Sequence, residues 1–420
     1  MRVKFYTLGC KVNQYETEAL KEALAMRGFL PTDGDADLHI INTCSVTARA
    51  DSDSRKLLIK TRKMYPDAKI AVCGCWANFN KEEIVKLGAD YVVKQDKKPF
   101  LADILKGETK KNNDVWSLIV TKFTNQRAFL KVQDGCDNFC SFCKVPFLRG
   151  RSQSRKKEDI IAEMCRLSKK HKEIVLCGIN LGLYGKDFKP TSSLRELVAE
   201  ILNIEALSRL RLSSLEPYLI DDDLLALFNH PKMCPYLHLP FQSGDDTILK
   251  AMNKKETVKI YRNIAAKLKT INPDIAISCD LIVGFPGETQ KNFENTLELI
   301  NEIKPMRMHI FTFSPREKTK FFGKKVDIKT AKSRYLILKK VAEKFSLEYL
   351  NKFLGKILNV IAEEKNADIV TGYSENYIKV NFQENNSGRK PGVSSGVLGK
   401  IVRVRIERIE NQGLFGILVR

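Results

Sequence analysis

The pattern of apolar and polar positions separates three regions along the chain. Over residues 1–117, short apolar runs at 3–8, 38–42, 69–73 and 90–93 alternate with helical periodicity at 14–26, 49–64 and 81–87. Strands of that length between amphipathic helices predict a small α/β domain with a mostly parallel sheet. A polar stretch at 106–114 reads as a linker or an exposed hairpin. Over 122–350 the same alternation repeats six times, with strands at 128–133, 173–177, 209–213, 236–239, 275–283 and 307–313. Helices fall between them at 156–171, 194–202, 257–270 and 293–303. Six βα repeats suit an open, partial (βα)6 barrel and also a doubly wound sheet; in both, chemistry sits beyond the C-terminal ends of the strands. From 351 to 420 the period falls to two, with strands at 357–361, 377–382, 399–408 and 414–419, which predicts a small antiparallel β-barrel. The fold class is therefore α/β with a small C-terminal all-β unit.

The composition narrows the function. The 420 residues are 43% hydrophobic, enough for buried cores, and carry a net charge of +21. Such a surplus points to a polyanionic partner, most simply nucleic acid, against the plainer reading of a merely basic protein. No stretch approaches the roughly 18 apolar residues of a membrane span. The first residues read as a strand and not as a signal peptide, so a cytoplasmic protein with reduced cysteines is expected. Along 400–408, Arg403 and Arg405 share one face of a strand, suited to a phosphate backbone or to simple solubility.

Eleven cysteines carry the chemistry. Cys136, Cys140 and Cys143 form a C-x3-C-x2-C loop directly after the first strand of the repeat region. Three thiolates on one loop can hold three irons of a [4Fe–4S] cube and leave the fourth open; a structural zinc site would want four closed ligands. Cys10, Cys44 and Cys75 lie 34 and 31 residues apart. Each follows a strand of the first domain, and strand ends of a parallel sheet lie together, so a second three-thiol site competes with buried free cysteines. Cys73 rivals Cys75, but belongs to the apolar strand run. Cys165, Cys177, Cys234 and Cys279 read as core residues, and His238 as structural.

The loop Cys136–Cys143 resembles the signature of radical S-adenosylmethionine enzymes. The segments Gly9-Cys10-Lys11-Val12-Asn13-Gln14-Tyr15-Glu16, Asn42-Thr43-Cys44-Ser45 and Gly74-Cys75 are similar to the N-terminal domain of the methylthiotransferases. Arg149-Gly150-Arg151, Ser213-Ser214-Leu215-Glu216-Pro217, His238-Leu239-Pro240-Phe241-Gln242-Ser243-Gly244 and Asp280-Leu281-Ile282-Val283-Gly284-Phe285-Pro286-Gly287-Glu288 are similar to their core. The C-terminal barrel resembles a TRAM RNA-binding domain. The resemblance covers essentially the whole chain in the family's order.

It implies two [4Fe–4S] clusters, on Cys136/Cys140/Cys143 and on Cys10/Cys44/Cys75, with S-adenosylmethionine as methyl donor and radical source. Within the family, the sequence around Cys10 resembles the branch that methylthiolates C2 of N6-threonylcarbamoyladenosine at position 37 of tRNA. The alternatives are N6-isopentenyladenosine in tRNA, a ribosomal-protein aspartate, or an iron–sulfur tRNA-binding protein without turnover. The implied partners are the tRNA anticodon loop and an electron donor such as a flavodoxin or ferredoxin. Strand-end placement offers Gly178, Glu216, Gln242 and Gly284 as contacts for S-adenosylmethionine. Arg149, Arg151 and Arg155, just beyond the cysteine loop, are candidate RNA contacts alongside Arg403 and Arg405, or else partners in internal salt bridges. The chain departs from the family at Phe311-Thr312-Phe313-Ser314, at Lys318 and at Lys254-Lys255-Glu256.

Overall fold

The computed structural model describes residues 1–108, 116–324, 327–383 and 396–419. Most of the polar stretch at 106–114 lies outside the described residues.

Five parallel strands build the first sheet: β1 (Arg2–Thr7), β2 (Leu30–Pro31), β3 (Leu38–Thr43), β4 (Lys69–Gly74) and β5 (Tyr91–Val93), in the order β2-β1-β3-β4-β5. Strand periodicity divides their side chains between two layers. Ile40, Ala71 and Cys73 face Val12, Tyr15, Ala19 and Leu20 of the helix Lys11–Ala25. Ile41, Ile70 and Val72 face Leu58 of the helix Ala48–Met64 on the other side. A sheet covered on both faces explains why every residue of β3 is buried.

The middle region holds β6 (Arg127–Lys131), a short antiparallel pair β7 (Gln133–Asp134) and β8 (Gln153–Ser154), then β9 (Glu173–Cys177), β10 (Arg209–Leu212), β11 (Tyr236–Gln242), β12 (Ala276–Val283) and β13 (Arg307–Thr312). The six long strands form two parallel sheets, β6-β9-β10 and β11-β12-β13. Leu210 joins them edge to edge by donating to Lys232 O at 2.7 Å and accepting from Cys234 N at 2.8 Å. Leu237, Leu239, Cys279, Leu281 and Met308 point into the hydrophobic core, together with Leu167, Leu197, Leu268 and Leu299 of the helices. The alternate residues therefore share the inner face.

The first domain bridges the two ends of this sheet. Glu16 of its first helix meets Lys131 of β6 at 2.7 Å, while Arg316, four residues past β13, donates to Ser45 O at 3.1 Å and to Asp51 at 2.5 Å.

After the helix Ile328–Asn351, five strands close a barrel: β14 (Ile357–Asn366), β15 (Ile369–Ser374), β16 (Lys379–Gln383), β17 (Ile401–Glu410) and β18 (Gly413–Val419). The periodicity predicts four strands in an antiparallel barrel; the additional strand is β15, and one pair, β16 with β18, runs parallel. Its run Ile-Val-Thr-Gly-Tyr-Ser carries a glycine where the partner strand comes close; a Cβ on Gly372 would lie 2.1 Å from Ile361 O. The barrel docks on the N-terminal ends of the core strands. The Tyr377 ring is 5.1, 4.6 and 5.5 Å from the guanidinium carbons of Arg127, Arg211 and Arg307, and Arg211 donates to Glu375 O at 2.9 Å.

Candidate functional site

The loop joining β7 to the short helix Val145–Arg149 carries Cys136, Cys140 and Cys143. Backbone contacts fix its course: Cys136 N donates to Gly150 O at 3.1 Å, Ser141 N to Met252 O at 2.9 Å, and Cys143 N to Cys140 O at 3.0 Å. Asn253 and Tyr218 hold Asn138 and Phe139 from two other strand-end loops. Burial pushes all three thiols above their ordinary value, Cys143 to about 11. Asn180, beyond β9, donates to Cys136 Sγ at 3.6 Å, while its own Oδ1 is buried without a partner. Glu216, beyond β10, lies near all three thiols; burial pushes its carboxyl up to about 8, with Lys254 and Glu256 against it.

In the first domain Cys10 precedes the helix Lys11–Ala25, Cys44 follows β3 and Cys75 follows β4. The parallel sheet gathers these strand ends. Gly9, at φ +96°, presses against Cys44 so closely that a Cβ there would lie 2.6 Å from Cys44 Cβ. Burial raises the Cys44 thiol to about 11, and Cys75 and Cys10 reinforce the shift. Cys73 sits fully buried in the helix-facing core, pushed to about 12. A cavity of about 180 Å³ joins the two halves, lined by Cys143, Phe142, Gln242 and Asp280 on one side and by Val46 and Thr47, just past Cys44, on the other.

Tetrahedral zinc at ~2.3 Å from each sulfur would draw its thiolates to within ~3.8 Å of one another. Among the described residues, neither cysteine triplet closes to within 4.8 Å; the group that does is His238, Asp280 and His309. Thiols spread wider than one ion demands, on a loop of three, fit a polynuclear cube with one iron left open. The orphaned Asn180 Oδ1 and the Glu216 carboxyl beside that loop offer acceptors to an amine bound there.

The other expected site residues divide. Gln242, at φ +66°, lines the cavity. Gly178 leaves room for Gln133, whose Oε1 would be 2.8 Å from a Cβ there. The amide of Gly284 is engaged by Glu288 at 2.7 Å. Arg151 is exposed, with Asp137 at 3.2 Å, and Arg403 and Arg405 stand outside the barrel while Val404 and Ile406 fill it. Arg149 and Arg155 correct the expectation of RNA contact. The Arg149 side chain is 2% exposed and bonded to Glu16, Asp134 and Asn13. That of Arg155 is 2% exposed and paired with Glu163 at 2.7 Å. Neither guanidinium presents a face to a phosphate. Cys165 is a smaller correction: it is half-buried, because the core side of its helix is taken by Met164 and Leu167.

Sequence reading missed Asn180, Asp280 and His309. Asn180 had a usable signal, since it lies three residues past a strand end. Asp280 and His309 pair across adjacent strands, 29 residues apart, and no local spacing marks them.

Comparison with known proteins agrees with this geometry. The Radical SAM superfamily model matches residues 130–300, and a model described as uncharacterized protein family UPF0004 matches residues 2–94. The solved radical S-adenosylmethionine methyltransferase TsrM of Kitasatospora setae shares the fold at a TM-score of 0.57 and 14% identity, over 74% of this chain and 72% of that one. The class defined by fold and cysteine loop is thus the radical SAM enzymes, which use S-adenosylmethionine with an iron–sulfur cluster. Sequence relatives are nearer. The threonylcarbamoyladenosine tRNA methylthiotransferase MtaB of Thermotoga maritima is 35% identical over 98% of both chains. Its Bacillus subtilis counterpart is 35% identical over 96% of this chain and 93% of its own. The tRNA-2-methylthio-N(6)-dimethylallyladenosine synthase of Acetivibrio thermocellus is 33% identical over 99% and 90%. The chain belongs to the radical SAM tRNA methylthiotransferases.

Proposed function

We propose that this enzyme installs a methylthio group at C2 of N6-threonylcarbamoyladenosine, at position 37 in the anticodon loop of tRNA. The observation that carries this reading is a cavity with Cys143 on one wall and the residues following Cys44 on the other. Cys136, Cys140 and Cys143 would hold the cluster that binds S-adenosylmethionine, and Cys10, Cys44 and Cys75 a second cluster. When bound, these groups supply the radical that removes the C2 hydrogen and the sulfur and methyl that replace it.

The protein's own part is placement. Asn180 and Glu216 present acceptors beside the cysteine loop, and Gln242 bounds the cavity. Phe311 and Phe313 give it apolar walls. Arg151 and the TRAM-like barrel face of Arg403 and Arg405 meet phosphates, and the target base leaves its stack to enter. The middle region acts as a partial (βα)6 barrel open toward the first domain. The net charge of +21 favours an RNA over a basic ribosomal protein as substrate. Among the described residues no helix is long and apolar enough to cross a membrane, and we read the protein as cytoplasmic, drawing electrons from a flavodoxin or ferredoxin.

Two measurements test the reading. Anaerobically reconstituted protein binds about eight irons per chain, four for each cube, and iron near four that Cys10→Ala leaves unchanged would remove the second cluster. Mass spectrometry of tRNA nucleosides from cells lacking the gene shows loss of the methylthio-threonylcarbamoyl nucleoside. Loss of the methylthio-dimethylallyl nucleoside instead would transfer the enzyme to the other branch.

A further inference from the structure

We propose that His309, held by Asp280, receives the carboxylate-bearing N6 substituent of the substrate adenine; this rests on the substrate named above. Three adjacent strands carry His238, Asp280 and His309 on the inner face, since Leu239, Leu281 and Met308 beside them face the helices. His238 Nε2 is 3.1 Å from Asp280 Oδ2, and His309 Nδ1 is 3.1 Å from Asp280 Oδ1.

The proton order follows from the partners. A carboxylate only accepts, so both ring nitrogens facing it carry hydrogens. His238 Nδ1 then accepts from Ser278 Oγ at 2.8 Å, and Ser278 Oγ accepts from the Tyr236 hydroxyl at 2.6 Å. Every atom of this chain is matched except one. His309 Nε2 has no hydrogen bond among the described residues, and the His309 side chain is 48% exposed.

That atom lies on β13 beside two residues of the cavity wall, its partner Asp280 and, two positions on, Phe311. Asp280 lines the cavity that Cys143 borders on one side and Val46 and Thr47, just past Cys44, on the other, and Phe311 continues the same face of β13 as its wall. With C2 turned toward the cysteines, the N6 arm of the purine ring diverges from them, along the inner face of the strands. With Nδ1–H held by Asp280, Nε2 is the ring's free polar atom, and it bonds the polar threonylcarbamoyl arm without reorganising. The dimethylallyl chain has no polar atom beyond N6, so in its complex His309 Nε2 is left facing hydrocarbon. Sites built to bond a polar group discriminate strongly against analogues that lack it.

The test uses anticodon stem-loops carrying adenosine, threonylcarbamoyladenosine or dimethylallyladenosine at position 37. Affinities are measured by fluorescence anisotropy on the full chain, with product formation on reconstituted enzyme as a second readout. The wild type prefers the threonylcarbamoyl loop over the dimethylallyl loop. His309→Leu reduces that preference at least tenfold while leaving affinity for the unmodified loop, iron content and melting temperature unchanged. Asp280→Asn, which loosens the ring, shifts the preference in the same direction, and His309→Gln restores part of it. A His309→Leu enzyme that keeps the wild-type preference within twofold overturns the assignment and leaves the substrate reading standing. A wild type that prefers the dimethylallyl loop overturns both. Stoichiometric zinc or manganese in the wild type that His309→Leu abolishes would make the triad a metal site and also overturn the assignment.

Discussion

Arg149 Nη2 donates to Asn13 Oδ1 at 2.7 Å, tying the end of the core's cysteine loop to the residue three places after Cys10. The same guanidinium meets Glu16 at 3.1 Å and Asp134 at 3.0 Å. Burial favours the neutral carboxylic acid, but Arg149, Lys131 and Lys98 together hold Glu16 well below its ordinary range. One buried cation therefore ties the segment after the core's cysteine loop to the first domain's cysteine set. Arg149→Ala leaves Glu16 and Asp134 short of a partner and lowers stability by about 3 kcal/mol, read as a fall in denaturation midpoint.

Arg151 behaves oppositely, although it stands only two residues away. Its side chain is 73% exposed. Arg151→Ala keeps the wild-type melting curve, weakens tRNA binding, and lowers the slope of log affinity against log salt by about one. An unchanged slope would remove Arg151 from the interface.

Arg403→Ala and Arg405→Ala give the same signature from the barrel. Each weakens binding to tRNAs of different sequence by a similar factor, because phosphate contacts position the RNA without reading bases. The double variant loses about two from the salt slope while circular dichroism stays at the wild-type shape.

Gly9→Ala targets the second cysteine set. Its φ of +96° is strained for any residue with a Cβ, and the added atom would lie 2.7 Å from Cys44 Sγ. The backbone term costs ~1–2 kcal/mol, tolerable for a domain. Iron per chain then falls from about eight toward four, whereas Gly28→Ala, with nothing within 4 Å of the added Cβ, leaves iron loading intact.

Glu173 gives the acid limit of stability. It is fully buried; burial works against its charge, but Arg211, Arg127 and Arg209 hold it below its ordinary value of 4.5. The unfolded chain therefore binds the proton first as pH falls. The stabilisation is present above about pH 4.5 and is lost progressively below it. Glu173→Gln destabilises by about 3 kcal/mol at pH 7, and the gap to wild type narrows toward pH 3. A gap independent of pH would show that packing alone sets it.

The sequence was most legible where chemistry is local. Cys136, Cys140 and Cys143 announce themselves because one short loop carries all three. Cys10, Cys44 and Cys75 are readable only through the rule that parallel strands end together, and the same pattern separates Cys73 as a strand residue. Arg149 shows where local reading stops. Its partners Glu16 and Asp134 are 133 and 15 residues away, so its charge looks like surface charge until the domains meet. The strand Ile369–Ser374 escaped because Gly372, needed for the close approach of Ile361, breaks its apolar alternation. The pair Asp280 and His309 joins neighbouring strands, and a register is not written in either strand alone.

The docking of Tyr377 among Arg127, Arg211 and Arg307 puts the barrel at one end of strands whose other end carries the cysteines. The longest of these, β12, has eight residues and spans ~26 Å at the usual rise of about 3.3 Å each. That depth is set by covalent geometry. A polynucleotide that touched both the barrel and the cavity would thus be gauged by length, its position on the RNA set by a ruler as much as by a pocket.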